Sequence, residues 1–296
     1  MRLSENMQGA VLMTASMAGF AMNDAALKYG GSELGLFQAI FLRGIFVALF
    51  IGAFAWARGA FRNLPNTADI IRIALRSVAE IVATLAFLTA LFNMPFANIT
   101  AILQVLPLSI ALAAALFLKE PIGRQRVFAI AIGFMGVLII IRPGAADFNA
   151  YTLLGLVAVA SVTVRDLIVR QLSPSVSSLF VSFVAAVVIL FTGGVGVLVT
   201  QKWVPTDFQD LCILAFAAVF LFVGYYCSVA AMRVGQVAVV APYRYSVMIW
   251  AIGLGYFLFN EVPDNWTLVG MSIILVTGLF TMWREHIHSR KNKIES

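Results

Sequence analysis

Charge is the scarcest ingredient of this 296-residue chain: Asp, Glu, Lys and Arg together make up 11%, against roughly 25% in soluble globular proteins. So few charges cannot cover a water-facing surface, which excludes an ordinary soluble fold of one or two domains. Histidine is rarer still, with His286 and His288 both close to the C-terminal end. The only cysteines, Cys212 and Cys227, lie in one apolar run, so neither a disulfide framework nor a thiolate metal site is expected. No Gly-x4-Gly-Lys-Ser/Thr sequence occurs, which removes a phosphate loop for ATP hydrolysis. Gly194-x-Gly196 and Gly253-x-Gly255 lack the third glycine of a dinucleotide fingerprint and read as helix-packing positions. With no catalytic constellation, the chain is expected to be no enzyme and to carry no metal and no cofactor.

What is present is hydrocarbon. Hydrophobic residues make up 61% and the mean hydropathy is +0.96. A bilayer core about 30 Å thick takes about 20 apolar residues in helical form. Ten such runs are expected, near 7–27, 34–57, 69–92, 97–117, 125–142, 150–170, 175–199, 210–232, 237–258 and 266–283. Gly and Pro punctuate the breaks, as at Gly30-Gly31, Met94-Pro95, Arg142-Pro143-Gly144 and Ser173-Pro174-Ser175. The first run lacks a basic region beyond Arg2 and reads as a retained span.

The net charge of +6 and pI near 9.6 come from basic residues dispersed between the runs. That is a membrane-topology pattern and no footprint for nucleic acid. With the N-terminus placed in the cytoplasm, the cytoplasmic segments collect Arg2, Arg58, Arg62, Arg72, Lys119, Arg124, Arg126, Arg165, Arg170, Arg233, Arg284, Arg290, Lys291 and Lys293. The opposite side keeps Lys28, Arg142 and Lys202, while Arg43, Arg76 and Arg244 fall inside spans. Both termini are therefore expected to be cytoplasmic.

Sliding the sequence by 141 residues lays Ala90 over Ala231, Ala97 over Ala238 and Glu120 over Glu261. One further residue of offset matches Pro121 with Pro263, Gly136 with Gly278 and Arg142 with Arg284. The same shift carries the first five spans onto the last five. Five is odd, so the second copy enters the membrane inverted, the architecture of alternating-access carriers. The expected division is a first repeat over 1–144, a second over 145–285, and a charged cytoplasmic tail over 286–296. The fold class is an all-α polytopic membrane protein, ten transmembrane helices in two inverted five-helix repeats.

Phe117-Leu118-Lys119-Glu120-Pro121 followed by Gly133 and Gly136, and Phe259-Asn260-Glu261-Val262-Pro263 followed by Gly270 and Gly278, resemble the end of an EamA repeat of the drug/metabolite transporter superfamily. The likeness in span count and repeat order covers essentially the whole chain and implies the same ten-helix fold. Ala129 stands where the other copy has Gly270, so helix packing is expected to be looser there.

Ionisable groups inside a span cost at least about 2.5 kcal/mol each on insertion scales and call for a partner or a purpose. Arg43 lies in span two, Arg76 and Glu80 stand four apart on one face of span three, and Arg244 lies in span nine within Pro242-Tyr243-Arg244-Tyr245-Ser246. Three arginines against one glutamate predict an electropositive interior suited to a carboxylate- or phosphate-bearing solute. The bland alternative pairs Arg76 with Glu80 and lets Arg43 and Arg244 snorkel. Gln104, Tyr225, Tyr226 and Tyr245 are added as an amide and aromatic lining. Glu80 is the candidate proton carrier, a role opposed if Arg76 holds it ionised. Asp24 and Asp166 are candidate gate residues, with Lys28, Arg165 or Arg170 as partners. Glu120 and Glu261 read as structural carboxylates at helix N-termini.

These expectations converge on a multi-pass carrier of the bacterial inner membrane whose partners are the lipid bilayer and a small organic metabolite. The resemblance implies export of an amino acid or a related carboxylate-bearing solute. The alternative within the superfamily is uptake of a cofactor-like molecule such as S-adenosylmethionine or riboflavin. Rivals of other classes are a polytopic enzyme acting on lipid-linked substrates and a passive channel.

Overall fold

The computed structural model describes residues 5–62, 65–119, 123–143, 149–234 and 237–294, and the described residues form helices and connecting turns with no strands. In chain order the helices are α1 (Glu5–Leu34), α2 (Leu36–Ala57), α3 (Thr67–Asn93), α4 (Phe96–Leu103), α5 (Leu106–Phe117), α6 (Arg124–Ile141), α7 (Tyr151–Val169), α8 (Ser178–Thr200), α9 (Phe208–Val234), α10 (Val237–Val240), a 3-10 segment (Ala241–Ser246), α11 (Val247–Phe259) and α12 (Asn265–Ile294). Taking α4 with α5, and α10 with the 3-10 segment and α11, gives the ten spans in the predicted places. Two ends differ. Helix α1 runs on to Leu34, seven residues past the expected limit, and α12 runs on through most of the charged C-terminal stretch, whose Arg, Lys and Glu are good helix formers.

The repeat is visible in the backbone. Helices α3 and α9 begin at Thr67 and Phe208, α5 and α11 at Leu106 and Val247, and α6 and α12 at Arg124 and Asn265, each pair 141 residues apart. Asn66 Oδ1 accepts from the Asp69 N–H at 2.8 Å, and Asp207 Oδ1 from the Asp210 N–H at 2.8 Å: the same cap, 141 residues on, at the start of α3 and of α9. Lys119 and Asn260, also 141 apart, both adopt positive φ, 56° and 53°, where α5 and α11 stop.

The compact units do not follow the two halves of the sequence. One unit gathers Met1–Ala21, Met94–Thr152 and Val223–Ser296; the other gathers Met22–Asn93 and Leu153–Phe222. Each unit therefore takes helices from both repeats.

In the second unit α2 packs along α8. A Cβ on Gly44 would meet Leu190, one on Gly52 would meet Phe183, one on Gly193 would meet the Phe41 backbone, and one on Gly196 would meet the Phe37 ring. As the numbers rise along α2 they fall along α8, so the two helices, spans two and seven of the repeat, run antiparallel. Small residues allow this close approach, since lipid supplies no hydrophobic drive between helices. Gly194 joins the seam against Phe41, whereas Gly253 faces open space. The packing reading thus holds for Gly194-x-Gly196 and fails for Gly253.

In the first unit α6 packs along α12. Gly136 and Gly270 touch backbone to backbone: a Cβ on Gly136 would lie 3.0 Å from the Gly270 carbonyl oxygen, and one on Gly270 2.6 Å from that of Gly136. Gly133 abuts Thr277, so these spans, five and ten, are antiparallel as well. The close approach joins Gly136 of one copy to Gly270 of the other. Ala129 is buried without a matching glycine. Arg142 at the end of α6 pairs with Asp264, whose Oδ1 accepts from the Thr267 N–H at 2.8 Å and so caps α12.

Glu261 carries a helix N-terminus, though not that of α12. Its carboxylate accepts from the Phe96 N–H, the first residue of α4, where an anion is favoured by unsatisfied N–H groups and the helix dipole. Glu120 lies outside the described residues.

Candidate functional site

Both broken spans break at the same register. Gln104 and Val105 separate α4 from α5, and Gln104 N–H and Val105 N–H reach back only three residues, to Ala101 and Ile102. Pro107, in the first turn of α5, has no N–H for the carbonyl of Leu103. In the second copy Pro242 sits in the first turn of the 3-10 segment that holds Tyr243, Arg244, Tyr245 and Ser246. Irregular backbone at membrane depth is tolerated only where protein buries it or where it lines a water-filled cavity, and discontinuous helices are where carriers place their polar sites.

The first unit contains Gln104, Tyr225, Tyr226, Arg244 and Tyr245. Arg244 and Tyr243 are exposed, and Gln104 is half-buried. Tyr245 is 3% exposed, its ring wedged against Gly278 of α12, and its hydroxyl and the Ser246 hydroxyl are buried with no hydrogen-bond partner among the described residues. Arg244 and Tyr243 are thus the exposed side chains of this segment, while Tyr245 is turned into the packing. Tyr225 and Tyr226 are exposed on α9, and Phe20 of α1 meets Tyr225 edge to face at 5.3 Å. One turn from Phe20, the Ser16 hydroxyl donates to the Gly224 carbonyl at 2.6 Å and ties α1 to α9.

The second unit contains the buried charges. Arg76 and Glu80 form the predicted pair, Nη2 to Oε2 at 3.0 Å. Arg165 of α7 joins them: its Nη1 donates to Glu80 Oε1 at 3.1 Å and to Oε2 at 3.3 Å, and its Nε to Asp166 Oδ1 at 2.9 Å. Arg76 is 9% exposed, and its Nε and Nη1 have no partner among the described residues. Glu80 is its anchor. Arg72, one turn before Arg76, pairs with Asp69 at 3.1 Å. Asp69, fully buried, also accepts from the Ser173 N–H at 3.2 Å, fastening the start of α3 to the turn after α7.

A second cluster lies on α1 and α2. Asn23 Nδ2 donates to Asp24 Oδ1 at 2.8 Å, and Arg43 Nη1 donates to Asn23 Oδ1 at 3.3 Å, within electrostatic reach of the Asp24 carboxylate. Asp24 stands ten residues before the end of α1, about 15 Å at 1.5 Å per residue. It is a deep residue, not the near-terminal one expected when span one was taken to stop at 27.

An electropositive interior is therefore not what this unit presents. Arg43, Arg76 and Arg165 stand beside Asp24, Glu80 and Asp166, three charges of each sign. Sequence reasoning missed Asn23 altogether and left Arg165 at the cytoplasmic edge. Glu80 and Arg165 are 85 residues apart, and no periodicity links positions on different helices.

Ten helical spans, two of them interrupted at equivalent points of the repeat, define a membrane transporter. The chain belongs to the EamA-like transporter family, whose profile matches twice, over residues 7–142 and 149–283. It is 27% identical to the S-adenosylmethionine uptake transporter of Rickettsia prowazekii (strain Madrid E), over 99% of this chain and 98% of that one. It is 25% identical to the riboflavin transporter of Vibrio cholerae serotype O1 (strain El Tor Inaba N16961), over 97% of each. It is 22% identical to the pseudopaline exporter CntI of Pseudomonas aeruginosa (strain UCBPP-PA14), over 90% of this chain and 93% of the exporter.

Proposed function

We propose that this protein is a secondary carrier of the bacterial inner membrane that takes up a zwitterionic, cofactor-like metabolite of the S-adenosylmethionine type by alternating access. The observation that carries this reading is the carboxylate beside each deep arginine of the second unit, Glu80 paired with Arg76 and Arg165, and Asp24 linked to Arg43 through Asn23. Buried charges of both signs suit a carrier of a solute of both signs, whereas a surplus of guanidinium groups would suit a simple anion. S-adenosylmethionine carries a carboxylate, an ammonium group, a sulfonium centre and an adenine ring. Arg244, exposed on the broken helix, offers the planar fork that a carboxylate accepts. The exposed rings of Tyr225 and Tyr226 offer faces for a sulfonium cation or a purine. Similarity to an S-adenosylmethionine uptake transporter over nearly all of both chains moves this reading ahead of amino-acid export. The amino-acid moiety survives as the part of the solute that Arg244 receives.

Purified protein tests the proposal directly. S-adenosylmethionine at a hundredfold excess over its Kd is expected to stabilise the fold by about 2.7 kcal/mol, raising the melting temperature, and to support saturable counterflow in proteoliposomes. Arg244→Ala should lose both responses while eluting as the same species. Stabilisation by riboflavin or by an amino acid, with none by S-adenosylmethionine, would replace the substrate. Uptake without saturation or counterflow would make the protein a channel.

The same reading places both termini in the cytoplasm. Single cysteines introduced near Asn93 should react with a membrane-impermeant maleimide applied outside intact cells, and cysteines near Arg62 should not. The opposite pattern would invert the topology.

A further inference from the structure

The carrier reading above leaves the driving ion unassigned. Two carboxylates lie deep in the second unit, and their surroundings differ in kind. Glu80 is held by guanidinium groups on two helices, in an ion pair with Arg76 at 3.0 Å and by hydrogen bonds from Arg165 at 3.1 and 3.3 Å. Glu80 thus ties α3 to α7, with both of its charged partners committed to that tie. Asp24 accepts from a neutral amide, Asn23 Nδ2 at 2.8 Å, and that amide's oxygen is itself gripped by Arg43 Nη1 at 3.3 Å. The chain Arg43 to Asn23 to Asp24 orients the carboxylate and sets one positive charge nearby, with the neutral amide making the direct bond.

We propose that Asp24, and not Glu80, is the group that takes up and releases the coupling proton. This rests on the reading of the protein as a secondary carrier. The step is a protonation: the Asp24 carboxylate binds one proton from one aqueous phase, becomes a neutral acid, and returns the proton to the other phase after the conformational change. Arg43 remains cationic throughout and is the fixed counter-charge; Asn23 is a positioning residue. Asp24 is half-buried and lies about 15 Å from the end of α1, half the thickness of a bilayer core of about 30 Å. A single site at that depth serves both sides.

The other charged groups in the vicinity have duties of their own. On α1, Lys28 stands one turn beyond Asp24. On α2 the facing charge is Arg43. On α3, which packs beside α1 where Phe92 meets Gly31, Asp69 and Arg72 pair with each other and Arg76 with Glu80. The part of α9 that packs against Gly30 through Ile213 carries Asp210, engaged in its cap with Asp207, and the exposed thiol Cys212.

Infrared difference spectroscopy of the full-length protein in lipid, recorded between acidic and alkaline buffer without any solute, reads this proton directly. The wild type and Glu80→Gln should both show the high-frequency carbonyl stretch of a dehydrated carboxylic acid at the acidic end. Asp24→Asn should lose that band, and Asp24→Glu should retain it at a shifted position, which shows that the fold tolerates change at this site. A band that survives Asp24→Asn, that vanishes in Glu80→Gln, or that is missing from the wild type overturns the proposal. A transport arm uses S-adenosylmethionine in proteoliposomes with the membrane potential clamped. At one proton per solute, a gradient of one pH unit should support about tenfold accumulation in the wild type and none in Asp24→Asn. Should S-adenosylmethionine fail as a substrate, the infrared result still decides for or against Asp24, so the two readings fail separately.

Discussion

Glu80→Ala is expected to lower the stability of the solubilised protein by about 3–5 kcal/mol, the usual loss when one member of a buried ion pair is removed. The size of the effect follows from what remains behind. Arg76 is 9% exposed, its Nε and Nη1 have no partner among the described residues, and its ion pair is with Glu80, so its guanidinium would be left buried and without that counter-charge. Arg165 would lose its two bonds to Glu80 and keep the one to Asp166. The tie between α3 and α7 would go with them. Glu80→Gln keeps the shape and one acceptor oxygen, so a smaller loss is expected. Replacing all three of Arg76, Glu80 and Arg165 by methionine should recover most of the lost stability, because apolar residues of similar volume replace buried ion pairs at little net cost. Thermal unfolding in detergent, followed by tryptophan fluorescence, measures each variant. An unchanged midpoint for Glu80→Ala would mean that the network contributes nothing to stability.

The second large effect concerns the seam between α2 and α8. A Cβ on Gly193 would lie 2.5 Å from the Phe41 backbone nitrogen and 2.8 Å from its Cα. Those atoms belong to a helix and cannot rotate away as a side chain would. Gly193→Val is therefore expected to exceed the roughly 1–3 kcal/mol typical of overpacking, and to appear as loss of monodisperse protein on solubilisation. Gly196→Ala meets the Phe37 ring instead, so Phe37→Leu should rescue it; no side-chain change at Phe41 should rescue Gly193→Val. Gly253→Ala is the control. With nothing within 4 Å of its Cβ, it should be neutral or stabilise α11 by about 0.5–1 kcal/mol through helix propensity. A Gly193→Val protein as stable as the wild type would show that the helices can separate there without loss.

The spans were legible because the bilayer imposes a length. Runs of about 20 apolar residues ended by Gly, Pro and basic residues can be counted along one dimension, and ten helical spans follow that count, with α1 and α12 running on past their expected ends. The repeat was legible for a related reason: an offset of 141 survives in helix starts and caps even where identity is thin, because starts and caps depend on a few local residues such as Asn66 with Asp69 and Asp207 with Asp210. The pair Arg76 and Glu80 could be read from its i, i+4 spacing. Glu261 was readable as a helix-terminus carboxylate, although the helix it serves is α4.

Everything that depends on which helix faces lie against each other came from the tertiary structure. It drew Arg165 to Glu80, set Asn23 and Asp24 beside Arg43, turned Tyr245 toward Gly278 and left Arg244 exposed. It also distributed each repeat over both compact units. In water an amphipathic stripe marks the face a helix will bury. In lipid the outside of a helix is as apolar as its inside, so the pattern that announces a span carries little record of its neighbours, and only the packed chain supplies it.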